Sequence, residues 1–229
     1  MRKERKSNFV GFADSECPLY NTLVYRLTGG KILIDKIVQL EWKQFDKVKN
    51  EGGRASCQDD FETFAIMRKS QYLTWNEELL SSYYRDLLLA EQNGWNLIME
   101  KYARMMQSTA PEKYEKLAPT LPVRTKEREQ ITEEIIKIQV AWMEQFSEKF
   151  PNMAGNARSI HTYEDTAYHT SYETYLRGEL GTYGEETFVL YGRFIAGLLK
   201  EEKNLAYETM RNTAILYGYK SVEEAEDKL

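Results

Sequence analysis

Both histidines of the 229-residue chain fall in one short window, His161-Thr162-Tyr163-Glu164-Asp165-Thr166-Ala167-Tyr168-His169. On a helix, His161, Asp165 and His169 stand four apart on one face, so two imidazoles and a carboxylate can converge on a divalent cation. The same trio can supply a general base oriented by a carboxylate. Neither an HExxH helix nor the paired ExxH helices of di-iron bundles occurs, so the pattern is not specific. If His161 instead precedes the helix in a capping turn, the shared face breaks and the acids are caps.

A second chemical segment is Asn50-Glu51-Gly52-Gly53-Arg54-Ala55-Ser56-Cys57-Gln58-Asp59-Asp60, a glycine-rich turn opening into a helix. The unpaired N–H groups of a helix start attract an anion, and a guanidinium adds a two-pronged clamp. It is not a Walker loop, because Gly-Lys-Ser/Thr is absent. The plainer alternative pairs Arg54 with Asp59 or Asp60 in an ordinary helix-to-helix link. Cys57 beside a helix start is a candidate nucleophile in its thiolate form, although the aspartates oppose that. A buried, inert thiol is the reading it competes with.

Apolar spacing of three and four residues then defines the elements that position these groups. It predicts helices over 32–49, about 59–75, from about Leu80 to Asn93-Gly94, from Trp95 through Met106, and, briefly, between Pro111 and Pro122. The most regular stripe, Ile131, Ile135, Ile138, Trp142, Phe146 and Phe150, is stopped by Pro151 and a loop over 152–156. Further helices are expected at about 162–182, 185–200 and 204–217. No stretch alternates apolar and polar residues as a strand does, so the expected class is all-α. Tyr163 and its neighbouring tyrosines, with Trp42 and Trp142 between the halves and Met99, Met105 and Met106 in a core, are expected to pack more than to bind.

The two halves, about 31–110 and 125–220, resemble each other. Glu41-Trp42-Lys43-Gln44-Phe45 is similar to Ala141-Trp142-Met143-Glu144-Gln145-Phe146, and Asn96-Leu97 with Glu100 to Asn204-Leu205 with Glu208. The pairs keep their order while the offset drifts from 100 to 108. An internal duplication explains this, giving one multi-helix domain of two similar halves about a pseudo-twofold axis. An offset of 104 pairs Arg54 with Arg158, Cys57 with His161 and Asp60 with Glu164. If the axis brings these loops together, the junction holds a polar site: Arg54, Arg158, Asp60, Glu164 and Tyr163 around a ligand, with His161, Cys57 or Asp165 reacting. The alternative is a structural network locking the halves in register.

With 31 basic and 36 acidic residues the net charge is −5, which argues against binding by neutralising nucleic-acid phosphates. The basic start Arg2-Lys3-Glu4-Arg5-Lys6 is expected to be a solvated end of an arm over 1–30, and 221–229 a tail. No apolar run approaches a membrane span and no apolar signal core follows the basic start, so a cytoplasmic location is expected. The two cysteines, Cys17 and Cys57, are expected to be reduced thiols.

The strings Glu51-Gly52-Gly53-Arg54-Ala55-Ser56-Cys57-Gln58-Asp59-Asp60, Ile66-Met67-Arg68-Lys69-Ser70-Gln71-Tyr72-Leu73-Thr74-Trp75, Gly155-Asn156-Ala157-Arg158-Ser159-Ile160-His161-Thr162-Tyr163-Glu164-Asp165-Thr166 and Thr174-Tyr175-Leu176-Arg177-Gly178-Glu179-Leu180 are not generic helix sequence. Through them the chain, over about residues 31–220, resembles an uncharacterised microbial family catalogued as domain of unknown function 4125. The resemblance implies one domain spanning both halves and brings no activity, cofactor or catalytic residue. Two functions follow from the residues themselves. One is an enzyme or binding protein with a polar, metal-assisted or metal-free site for a small anionic molecule. The other is a non-catalytic module that binds a protein partner and keeps its polar cluster for structure.

Overall fold

The computed structural model describes residues 18–49 and 52–229, with side chains from residue 30 onward. Arg2 to Lys6, Cys17 and the Asn50-Glu51 pair therefore lie outside the described residues. Among those described there are eleven α-helices, three short 3-10 turns and no strand. The helices are α1 (Pro18–Asp46), α2 (Phe61–Tyr72), α3 (Glu77–Gln92), α4 (Leu97–Thr109), α5 (Pro111–Leu117), α6 (Lys126–Lys149), α7 (Pro151–Gly155), α8 (Tyr172–Leu180), α9 (Glu185–Lys200), α10 (Leu205–Leu216) and α11 (Val222–Lys228).

Short polar side chains fix most of the starts. Asp60, Asn76, Asn96, Thr125, Ser171, Asn204 and Ser221 each accept the N–H three residues on, satisfying a donor that has no partner within the helix. Gly94 (φ 65°) and Glu202 (φ 54°) turn the chain through the left-handed region after α3 and α9.

Four boundaries differ from the sequence expectation. Helix α1 begins at Pro18, inside the span read as an arm. Pro151 does not open a loop but sits at the first position of a short helix, where its missing N–H costs nothing. The tail is helix α11, held by its Ser221 cap. The helix expected over 162–182 forms only from Tyr172. Before it, a 3-10 turn (Thr162–Glu164) leads into a loop tied by side-chain bonds that compete with helix formation. Asp165 accepts the Ser171 N–H (2.6 Å) and the hydroxyls of Ser108 (2.6 Å) and Thr174 (2.6 Å).

In packing, α1 lies against α2, α3 and α4, while α6 lies against α8, α9 and α10. Between these groups α4 packs on α8, α2 on α10, and α3 on α9. Trp42 does not join the two groups: its ring meets Phe45, Phe61 and Phe64, all of α1 and α2. Met105 is core, whereas Met99 is exposed.

The interior where the groups meet is polar. Arg68 of α2 holds Glu41 of α1 through Nε (2.8 Å) and Nη2 (2.6 Å), and Glu179 of α8 through Nη1 and Nη2 (both 3.1 Å). Lys101 of α4 adds 3.4 Å to Glu179 and 2.7 Å to the Tyr175 hydroxyl. Tyr72 and Tyr83 donate to Glu41, Tyr183 and Gln71 to Glu179, and Arg68 also bonds the Tyr72 hydroxyl. These four charges are all at most 6% exposed, and two of each sign cancel. Beside them Trp75 is ringed by Tyr72 and Tyr83 from one side and Tyr183 and Tyr191 from the other.

Candidate functional site

The ends of α4 and α6 and one side of α8 leave a cleft of about 590 Å³, to which α5 contributes Tyr114. Four arginines line it: Arg104 from α4, Arg124 just before α6, Arg128 from the first turn of α6, and Arg177 from α8. Ser108, Tyr114, Glu129 and Glu133 stand among them.

Each guanidinium is anchored from behind. Arg104 donates to Glu100 Oε1 from Nε (2.9 Å) and Nη2 (2.8 Å), and Nη2 also reaches the Pro122 carbonyl (2.7 Å). Arg124 donates Nε to the Gly181 carbonyl (2.9 Å) and Nη2 to the same Glu100 oxygen (3.4 Å). Arg128 donates Nη2 to the Leu180 (3.2 Å) and Tyr183 (2.6 Å) carbonyls, the first of which is an open carbonyl at the end of α8. Its Nη1 pairs with the exposed Glu185 (3.0 Å), and its buried Nε has no partner among the described residues. Arg177 pairs with Glu133 (2.7 Å) and Glu173 (2.8 Å).

After this accounting, Nη1 of Arg104 and Nη1 of Arg124 make no hydrogen bond among the described residues. Burial lowers the Arg124 pKa, and the like charges of Arg128 and Arg104 lower it further against the pull of Glu100. Burial lowers that of Arg128 too, against Glu185. Arg104 and Arg124 share a single carboxylate among the described residues, the buried Glu100, whereas Arg128 and Arg177 pair with Glu185 and with Glu133 and Glu173.

The residues nominated from sequence fall elsewhere, and most have structural partners. Arg54 is an exposed clasp on Asp59 (2.8 Å), Asp46 (2.6 Å) and the Gln58 carbonyl (2.6 Å), its pKa raised chiefly by the bond to Asp59. Asp60 caps α2, and Cys57 is exposed where a buried thiol was expected. Arg158 is exposed, donates to the Thr170 carbonyl (3.1 Å) and lies over the Tyr175 ring (4.7 Å). Glu164 accepts the His161 N–H (2.8 Å). His161 precedes the 3-10 turn, stacks on the exposed Tyr163 (4.9 Å) and approaches Glu144 (3.3 Å), while His169 is exposed in the loop. The helix face that would have joined His161, Asp165 and His169 therefore does not form. Among the described residues no group of three or more His, Cys, Asp or Glu is placed to hold a metal ion.

Asp165 alone touches the cleft, through Ser108 and Thr174 of its lining. Burial pushes its carboxyl up, and the hydrogen bonds, that of Ser108 first, outweigh burial and leave it below its usual value. The cleft arginines were missed because they come from separated segments. One signal was present: Arg124, Lys126 and Arg128 crowd the start of α6, where the helix dipole disfavours cations.

Fold and cleft together define an all-α protein with an arginine-lined pocket and a charged interior. The chain belongs to the family described as Protein of unknown function (DUF4125), whose model matches residues 31–227. No curated protein and no solved structure matches it. No helix among the described residues is long and apolar enough to cross a membrane.

Proposed function

We propose that the protein binds a small anionic molecule in the cleft between α4, α6 and α8. The observation that carries this is the pair of Nη1 groups on Arg104 and Arg124, without a hydrogen bond among the described residues, in the wall of a cavity of about 590 Å³. Both side chains are only partly exposed, at 15% and 21%, so each Nη1 faces the cleft with a hydrogen-bonding capacity that an anion there can meet. The cleft volume lies in the ordinary range for small-molecule sites. This moves the anion contact from Arg54 and Arg158 to the arginines around Glu100. The interior network of Glu41, Arg68, Glu179 and Lys101 serves structure, because each of its charges already has an opposite charge in contact.

The cleft lies at a junction of two similar halves. In support, Asn96 donates to the Gln44 carbonyl as Asn204 does to that of Trp142, and Tyr83 donates to Glu41 as Tyr191 does to Gln139, which pairs Gln44 rather than Trp42 with Trp142. Gln58 and Glu164 each accept the N–H three residues earlier in matching 3-10 turns, which pairs His161 with Ala55 rather than Cys57. The test is a thermal-shift screen of the full chain at low salt with phosphate, sulfate and carboxylate compounds. Stabilisation that rises with ligand concentration and is lost in Arg124→Gln is expected. No stabilisation by any anion, or undiminished stabilisation of Arg124→Gln, rejects the reading.

A further inference from the structure

The geometry points to a phosphate monoester on a hydroxylated small molecule, such as a sugar phosphate, as the ligand class of this cleft. This rests on the anion-binding reading above. Arg104 and Arg124 both reach the same oxygen of Glu100 (2.8 and 3.4 Å), which sets their guanidinia side by side. Each has already given Nε and an Nη2 hydrogen to the protein, so the side-on edge of each guanidinium is taken. What remains is one Nη1 from each of two neighbouring groups. Two single donors on different guanidinia suit a tetrahedral oxyanion, whose oxygens diverge.

The remaining cleft is built for more than the phosphate. At about 590 Å³ it has room for a body of sugar size. Gln107, Ser108, Tyr114 and Glu129 line it with hydrogen-bonding groups of both kinds, and Glu129 accepts only, as hydroxyl groups require. An apolar ligand body would leave these groups unanswered.

The experiment is isothermal titration of the full chain, in phosphate-free buffer of low ionic strength, with ribose 5-phosphate, inorganic phosphate, ribose and citrate. Ribose 5-phosphate is expected to bind about tenfold or more tightly than inorganic phosphate, with no heat from ribose or citrate. Arg124→Gln, and separately Arg104→Lys, which keeps a cation against Glu100, are each expected to weaken ribose 5-phosphate by roughly tenfold or more. Circular dichroism confirms that each variant is folded, and one folded variant suffices. If citrate binds as tightly as ribose 5-phosphate with the same dependence on Arg124, the phosphate assignment fails while the anion cleft stands. If inorganic phosphate binds as tightly as the ester, the hydroxylated body is rejected. If no anion binds, both readings fall.

Discussion

At the scale of single residues, Glu179 ties the interior network to pH. Burial raises its carboxyl, but Arg68 and then Lys101 outweigh burial and hold it at about 2. Its folded pKa lies below the unfolded value near 4.5, so its contribution to stability is present above that value and is lost as pH falls toward 2. Lys101 has the opposite sign. Burial lowers it, Tyr175 and Glu179 more than reverse that, and it stands at about 12 instead of 10.5. Its contribution is complete below 10.5 and fades as pH rises through 12. Urea unfolding across pH should therefore show a plateau that falls away below about pH 4.5 and above about pH 10. In Glu179→Gln the acid slope should flatten, on a stability reduced by roughly 3–5 kcal/mol because Arg68 and Lys101 lose a buried partner. An unchanged acid slope would count against the coupling.

Among the elements, the α4–α8 contact joins interior and cleft. A Cβ added at Gly181 would come within 2.6 Å of Arg104 Cδ and 3.0 Å of its Nε. The backbone there is αR, so alanine is not strained by its own dihedrals, and the arginine must move, with a smaller shift from the Gly178 carbonyl at 3.2 Å. Gly181→Ala should draw Arg104 off Glu100 and weaken ribose 5-phosphate several-fold, while the melting midpoint falls by no more than about a few degrees. A variant that binds as well as the parent would show that Arg104 does not contribute. Most helices were legible in sequence because caps and apolar spacing agree, as for α3, α6 and α10. The region before α8 was not, because Asp165 spends its hydrogen bonds on Ser108, Thr174 and Ser171, and Ser108 lies on a distant helix. For the same reason Arg54 and Arg158 stood out in contiguous motifs, whereas the cleft arginines meet only after α4, α6 and α8 have packed.

For the whole molecule, the decisive fact is that charge pairs and helix contacts cross between the first and second groups of helices. Arg68 depends on Glu179, and α4, α2 and α3 each cover a helix of the other group. Fragments 1–121 and 122–229, made separately, should each lack a cooperative unfolding transition, and mixing them should restore one, as followed by circular dichroism. A cooperative transition in either fragment alone would mean that its half folds without the other. Trp75 makes that docking visible by light. Its indole sits among two tyrosines of its own half and two of the other, at centroid distances of 4.9 to 6.0 Å. Tyrosine emission from Tyr183 and Tyr191 passes to the indole only when the halves are joined, so the protein carries its own energy-transfer gauge of assembly at the seam.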